Sequence, residues 1–104
     1  RCGLYLHYYI KLGANNDPNE VKKLQTFLNE ELGINLPVTG YYGQLTYKAV
    51  ETFQLKYRIK VLKPWVPYGL PNENTSTGFV YKTTQRWINM IVCPRLDLVI
   101  PPLP

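Results

Sequence analysis

The chain has 104 residues, of which 45% are hydrophobic and 18% are charged, and its formal net charge is +5. This length and apolar content allow one domain with one modest core and exclude an intrinsically disordered protein. No apolar run approaches the roughly 18 residues of a membrane span, so we expect none. Because the chain starts at Arg1 without an initiator Met or a signal peptide, we interpret it as a segment of a larger or processed protein.

The first helix has the clearest start in the sequence, after an extended lead-in at residues 1–17. Asp17 is a good N-cap, Pro18 suits the first helical position, and Glu20 stands three residues after the cap, as in a capping box. Gly33 is placed to end the helix as a C-terminal glycine. The apolar stripe of this helix has helical spacing and comprises Val21, Leu24, Phe27, Leu28 and Leu32.

A twelve-residue pattern occurs twice, at residues 39–50 and 38 residues later at 77–88. Both copies contain a Thr-Gly pair followed by an aromatic residue, then a second Thr, a basic residue and a final β-branched residue. Each copy predicts a glycine turn and a helix start, so we expect helices from about Gln44 to Tyr57 and from about Lys82 to Val92. The predicted inner face of the second helix comprises Leu45, Ala49, Val50, Phe53 and Tyr57.

Two segments contain too much proline for an α-helix. Residues 61–76 include three prolines between positions 63 and 71 together with Trp65 and Tyr68, so we expect an ordered, irregular aromatic loop. Residues 95–104 are rich in proline and apolar residues and predict a linker or a strapping tail. Residues 1–94 are then the single folded domain.

The two cysteines, Cys2 and Cys93, lie near opposite ends of the predicted domain. A disulfide between them would close almost the whole chain and, in the chain-entropy model, would stabilise it by about 4–5 kcal/mol. Such a bond indicates an extracellular or cell-envelope location. The alternative is two unrelated buried thiols.

The motifs combine into a recognisable pattern. Its first half reads Val21-x-x-Leu24-Gln25-x-x-Leu28, then Gly33, then Gly40-x-Tyr42-Gly43-x-x-Thr46-x-x-Ala49-Val50-x-x-Phe53-Gln54, and its second half reads Gly78-x-Val80-x-x-x-Thr84-x-x-x-Ile88. Over roughly residues 18–91 this resembles the peptidoglycan-binding domain family of bacterial wall hydrolases. The resemblance implies an all-α fold, a small three-helix bundle with long irregular connections, which holds an attached catalytic domain against the cell wall.

The glycines and threonines of this pattern have structural roles that need no ligand. We expect Gly40 and Gly78 to adopt turn conformations that a side chain would strain. We expect Thr46 and Thr84, near the helix starts, to bond free backbone amides.

The glutamines have a structural interpretation too, and one position departs from the family. Gln25 and Gln54 lie beside core positions, where an amide can tie a loop backbone to a helix. Where the family commonly repeats Gly, the second copy has Tyr81, so we expect the second turn to be built differently.

A glycan site needs aromatic faces for the sugar rings and polar groups that fix their orientation. Arg86 could clamp a carboxylate of a wall stem peptide through two hydrogen bonds. Trp87 aligns with Ala49, which leaves a core role as its alternative, and Trp65 and Tyr68 either anchor their loop or form a ligand platform. The predicted ligand-binding residues are Tyr41, Tyr47, Trp65, Tyr68, Tyr81, Arg86 and Trp87.

The sequence offers little for catalysis. His7 is the single histidine and no metal-ligand spacing occurs, so we expect no metal and no cofactor. The carboxylates form no pair suited to glycoside hydrolysis, and Glu30-Glu31 is most simply the solvated end of the first helix. A basic run from Lys56 to Lys63 is likewise interpreted as a solvated helix end, with no nucleic acid as partner.

We therefore expect a monomeric, non-enzymatic module that binds peptidoglycan and targets a covalently linked domain. Two alternatives stay open. The same fold could bind another polysaccharide, such as cellulose or chitin, or it could be a structural or protein-docking domain that binds no sugar.

Overall fold

The computed structural model describes residues 2–104, so Arg1, the first residue of the predicted lead-in, lies outside the described residues. Within them the protein is helical, as predicted, and contains no strand, only an isolated bridge between Ile10 and Val80. The four α-helices are α1 (Pro18–Leu32), α2 (Gln44–Lys56), α3 (Arg58–Val61) and α4 (Lys82–Val92), and two 3-10 helices span Lys63–Tyr68 and Pro94–Leu96. The one-turn α3 was not predicted.

The predicted ends of α1 are confirmed. The Asp17 carboxylate accepts hydrogen bonds from the amides of Asn19 and Glu20, and Gly33 ends the helix with φ at 65°. The capping box is wrong in one respect, because the Glu20 side chain does not return to the cap. It accepts instead from the amides of His7 and Tyr8 in the lead-in, at 2.6 and 2.9 Å.

The core lies where α1, α2 and α4 meet the lead-in. Leu6 and Ile10 of the lead-in are fully buried, and Ile10 exchanges two backbone hydrogen bonds with Val80, at 3.1 and 2.8 Å. The lead-in is thus part of the core rather than a loose approach to α1. The buried apolar cluster comprises Leu6, Ile10, Val21, Leu24, Phe27, Leu28, Tyr42, Ala49, Val50, Phe53, Val80 and Ile88.

One residue of the predicted inner face of α2 is wrong. Leu45 is 65% exposed, whereas the neighbouring Thr46 and, further along, Gln54 are buried. Thr46 and Gln54 can be buried because their side chains form internal hydrogen bonds. Hydrophobic spacing alone therefore placed Leu45 wrongly on the inner face.

The irregular loop has more regular structure than predicted. Its prolines do stop α-helix, yet Lys63–Tyr68 forms a 3-10 helix with Pro64 in its first turn and Pro67 inside. Trp65 anchors this helix to α4, because its indole Nε1 donates to Thr83 Oγ1 at 2.8 Å.

The predicted disulfide joins Cys2 to Cys93, with 5.9 Å between their Cα atoms and a sequence separation of 91. It connects the start of the lead-in to the residue that ends α4. The bond therefore holds the lead-in against the last helix, where no short loop does so.

Candidate ligand-binding grooves

The Thr-Gly turn of the first copy is held by the buried side chain of Gln25. Its Oε1 accepts from the amides of Thr39 and Gly40, at 2.9 and 3.1 Å. Its Nε2 donates to the carbonyl of Tyr41 and to Thr46 Oγ1, each at 3.1 Å. One amide thus ties α1, the turn and the start of α2 together, as predicted.

Gln54 does the same for the second copy. Its Oε1 accepts from the amides of Thr77 and Gly78, each at 3.0 Å, and its Nε2 donates to the carbonyl of Phe79 and to Thr84 Oγ1, at 3.2 and 3.1 Å. The predicted partner of the two helix-start threonines is therefore wrong. The hydroxyl of Thr84, like its counterpart in the first copy, accepts from a glutamine amide rather than from a backbone amide.

A third amide, which was not predicted from the sequence, closes the ring of helices. Asn89 of α4 accepts from the amides of Tyr5 and Leu6, at 3.0 and 2.7 Å, and donates to the Leu6 carbonyl at 3.0 Å. Each of α1, α2 and α4 thereby holds the segment that precedes another of these helices. We call these three sets of contacts the amide joints.

The glycine prediction is confirmed in both turns, since Gly40 and Gly78 have φ of 83° and 69°. The prediction that Tyr81 requires the second turn to be built differently is wrong. Tyr81 has φ −112° and ψ −152°, close to the −101° and −168° of Gly43 at the equivalent position. Both are ordinary extended conformations, so at this position the two turns have the same backbone conformation and differ only in their side chains.

Each copy has a groove of about 290 Å³ beside its amide joint. We call them the first and the second groove. The first is open and is lined by Gln25, Pro37, Thr39, Tyr41, Gly43, Gln44, Leu45 and Thr46. The second is lined by Gln54 and by Thr77, Phe79, Tyr81, Thr83 and Thr84 of the second copy. The segment between the copies adds a wall of Val61, Leu62, Trp65, Tyr68, Gly69 and Leu70.

The second groove has a continuous aromatic surface. The rings of Phe79 and Tyr81 are stacked, with centroids 4.7 Å apart and 10° between planes. Trp65 also stacks on Tyr81 at 5.6 Å and 27°, and Tyr68 meets Trp65 edge-on at 6.3 Å. Such offset and edge-to-face arrangements are the stable ones for aromatic pairs. Their result is a preformed apolar platform.

Comparison with family models shows which known family part of this chain matches. Residues 17–61, which include α1, the first copy, α2 and α3, match the family described as Putative peptidoglycan binding domain. The resemblance inferred from the sequence is confirmed for this segment. No curated protein and no solved structure matches the chain.

The second groove lies mainly outside the family segment. Of its aromatic residues, Trp65 and Tyr68 follow residue 61, and Phe79 and Tyr81 belong to the second copy. The family segment therefore supplies the scaffold, including Gln54 at the groove floor, and this chain's own residues supply the aromatic surface.

The structure brings three of the seven predicted ligand-binding residues together: Trp65, Tyr68 and Tyr81. Tyr41 lies apart in the first groove and is 75% exposed. Phe79 completes the second groove. Its alignment with Tyr41 and its place two residues before Tyr81 in extended backbone, which puts both side chains on one face, are the signals that point to it.

The other three predicted residues lie in other surroundings. Tyr47 is half-buried, with its ring packed where a Cβ of Gly78 would stand. Arg86 donates from Nε to the carbonyl of Leu98 at 2.7 Å. Trp87 is half-buried against Tyr57, at 5.9 Å between centroids, and packs against the apolar core.

Two lysines lie at the edge of the second groove. Lys11 Nζ is 5.3 Å from the centroid of Phe79, and Lys82 Nζ is 5.5 Å from that of Tyr81. Cations favour such positions over aromatic rings. In addition, Tyr9 packs edge-on against Tyr81 at 4.6 Å, so the lead-in supports the groove from below.

The perturbed carboxylates belong to structural contacts outside the two grooves. Burial alone would raise the pKa of Glu20, but hydrogen bonds from Lys23 and from the amides of Tyr8 and His7 outweigh it, so the pKa lies below the ordinary value. Burial also opposes ionisation of Glu31, whose pKa is nevertheless lowered by hydrogen bonds from Lys56 and Tyr57. The carboxylates of Glu20 and Glu31 thus serve as hydrogen-bond acceptors in the folded protein.

Tyr42 of the first copy is a hydrogen-bond donor. Burial raises the pKa of Tyr42, whose hydroxyl donates to the carbonyl of Gly78 at 2.5 Å. It thus links the first turn to the second.

Among residues 2–104 no group of three or more His, Cys, Asp or Glu side chains is placed to hold a metal ion. The helices of that range are all too short or too polar to cross a membrane.

Proposed function

We propose that this chain is a non-catalytic module that binds peptidoglycan through the second groove and brings a covalently linked domain to the cell wall. The observation that supports the site is the aromatic platform of Trp65, Tyr68, Phe79 and Tyr81 beside a segment of the peptidoglycan-binding family. Rigid, preformed aromatic surfaces bind at low cost because little side-chain freedom is lost on binding.

The rings of the platform offer both apolar faces and polar edges. The side chain of Tyr68 is 55% exposed, and the hydroxyls of Tyr68 and Tyr81 make no hydrogen bond with residues 2–104. An apolar sugar face can stack on the rings while these hydroxyls bond its ring substituents. The amide of Gln54 at the floor is already used by the turn, so it fixes the shape of the groove rather than the ligand.

The non-catalytic role is supported by how the most perturbed carboxylates are used. Glu20 and Glu31 have pKa values below their ordinary value because of their hydrogen-bond partners, opposite to the raised pKa of a general acid. Neither residue lines the second groove.

The extracellular or cell-envelope location rests on the disulfide and on the ligand. The bond between Cys2 and Cys93 would persist in an oxidising compartment, which is also where a wall polymer is met. With the family match at residues 17–61, both features agree with a module that works outside the cytoplasm.

Another polysaccharide is the second candidate, and one observation favours it. The platform is built by residues that lie beyond the family segment, so its specificity need not follow the family. Stacked aromatic rings also suit the sugar faces of cellulose and chitin.

Sedimentation of the protein with insoluble peptidoglycan, cellulose and chitin separates these candidates. We expect binding to peptidoglycan and a loss of about tenfold in affinity for Tyr68→Ala, whose exposed ring contributes little to the core. Ser76→Ala, on the polar tip next to the groove, is the control and should bind as the wild type. Binding to cellulose or chitin alone would favour the second candidate, and binding to none of the three would leave a docking domain.

A further inference from the structure

The tail runs antiparallel to α4 and contacts its two cationic side chains. Arg86 Nε donates to the carbonyl of Leu98 at 2.7 Å. Lys82 Nζ donates to the carbonyl of Pro102 at 2.7 Å. Lys82 and Arg86 are one helical turn apart, so they present one cationic face to the tail.

Neutral carbonyls are weaker acceptors for these cations than a carboxylate would be. A carboxylate adds to the hydrogen bond a Coulombic attraction to the cation that a neutral carbonyl lacks. Neither Lys82 nor Arg86 is paired with an Asp or Glu side chain within residues 2–104, where the side-chain ion pairs are Lys23–Glu20 and Lys56–Glu31. A ligand carboxylate would therefore compete well with the tail for this face.

This cationic face adjoins the second groove. Lys82 directly follows Tyr81 in sequence, and its ammonium lies 5.5 Å from the centroid of that ring. A ligand stacked on the aromatic platform can thus place an anionic group at Lys82 while its sugar remains in the groove. The first copy lacks the pair, because its equivalent residues are Gln44 and Lys48.

We infer that Lys82 and Arg86 form a carboxylate subsite of the second groove, which residues 97–104 cover until an anionic wall fragment displaces them. The inference rests on the proposed function, because it assigns the second groove a saccharide that bears a carboxylate rather than a neutral one. The tail then acts as an internal competitor made of backbone carbonyls.

A pair of ligands that differ in one group tests this. Muramyl dipeptide ends in a carboxylate, and its carboxamide is the neutral match. In an NMR titration the Trp65 indole resonance reports occupation of the second groove, and the backbone heteronuclear NOEs of Leu98, Val99 and Ile100 report the tail. We expect both ligands to shift the Trp65 resonance, and the carboxylate form alone to lower the tail NOEs.

Variants sharpen the test. Lys82→Gln should weaken the carboxylate form by about fivefold, the size of a partly exposed ion pair, and leave the carboxamide unchanged. Its tail NOEs should be low even without ligand. Lys48→Gln removes the same charge at the position in the first copy that is equivalent to Arg86, and it should change neither affinity nor tail order.

Four outcomes would overturn the inference. If both ligands shift Trp65 while the tail stays ordered, or if the carboxamide releases the tail as well, the carboxylate subsite is wrong and the proposed function stands. If Lys82→Gln binds the two forms as the wild type does, the same conclusion follows. If neither ligand shifts Trp65 and the protein does not sediment with peptidoglycan, the proposed function falls too.

Discussion

The two copies of the repeat share a backbone and differ in their surface. In both, a buried glutamine accepts from the two amides of the Thr-Gly turn and donates to a carbonyl and a threonine. Only the second copy has a groove walled by a 3-10 helix and covered with stacked rings. The repeated residues therefore explain how the chain folds, and the residues that are not repeated are the ones that shape a ligand site.

A single substitution between the copies shows how this comes about. Gly43 and Tyr81 have nearly the same dihedral angles, so the position accepts a large side chain without backbone strain. Tyr41 leans over Gly43 in the first copy, where a Cβ would lie 2.9 Å from its ring. In the second copy the equivalent Phe79 stacks on Tyr81. The tyrosine thus converts an open groove into an aromatic one.

Removal of the two glutamines is the strongest test of structural equivalence. Gln25→Ala and Gln54→Ala each leave two amides and a carbonyl of a turn without their partner, and we expect each to lower the free energy of unfolding by about 3–4 kcal/mol. Urea denaturation measures this. Gln44→Ala, at an exposed position, is the control and should stay within about 0.5 kcal/mol. A small cost at only one glutamine would break the equivalence.

The turn glycines should differ in their cost. Both have positive φ, but a Cβ at Gly78 would overlap the ring of Tyr47, whereas at Gly40 the nearest atom is the carbonyl oxygen of Pro18 at 3.0 Å. We expect Gly78→Ala to lower the free energy of unfolding by about 2–3 kcal/mol and Gly40→Ala by about 1–2 kcal/mol. The reverse order in thermal and urea unfolding would show that the packing of Tyr47 is misassigned.

The contact between Glu20 and the lead-in differs from the two copies in its dependence on pH. The lowered pKa of Glu20 means that its contribution to stability is complete above about pH 4.5 and is lost as the pH falls through the lower pKa of the folded state. We expect Glu20→Gln to remove about 1 kcal/mol of this acid-sensitive stability. Denaturation curves between pH 2 and 7 compare it with the wild type. Parallel curves would contradict this role.

The smallest expected effect concerns the backbone at Gly43. Because its φ is −101°, Gly43→Ala needs only a small movement of the exposed Tyr41 ring, and the free energy of unfolding should stay within about 0.5 kcal/mol of the wild type. Thermal unfolding followed by circular dichroism measures it. A loss above about 1.5 kcal/mol would mean that the first turn needs glycine there and that the copies are not built alike.

The sequence predicted the helices well because strong local signals mark their ends. Asp17 and Gly33 mark the two ends of α1. The turn glycines were recognised from the repeated Thr-Gly pairs, and the roles of Gln25 and Gln54 from their positions beside core residues. The sequence failed where long-range packing decides. Asn89 bonds the lead-in, 83 and 84 residues earlier in the chain, and Leu45 has the spacing of a core residue yet is exposed.

The candidate site could be predicted only in part. Trp65, Tyr68 and Tyr81 were named as aromatic candidates, but that they converge depends on a 3-10 helix fastened to α4, which the prolines did not reveal. Arg86 was named as well, but no local signal showed that the carbonyl of Leu98 in the tail accepts a hydrogen bond from it.

Binding by two equivalent variants tests the central claim, that the wall ligand binds the second copy and not the first. Tyr41 and Phe79 occupy the same position of the repeat and line the two different grooves. In equilibrium sedimentation with insoluble peptidoglycan, Phe79→Ala should weaken binding by about tenfold, and Tyr41→Ala should stay within about twofold of the wild type. Loss of binding in Tyr41→Ala with normal binding in Phe79→Ala would contradict the account.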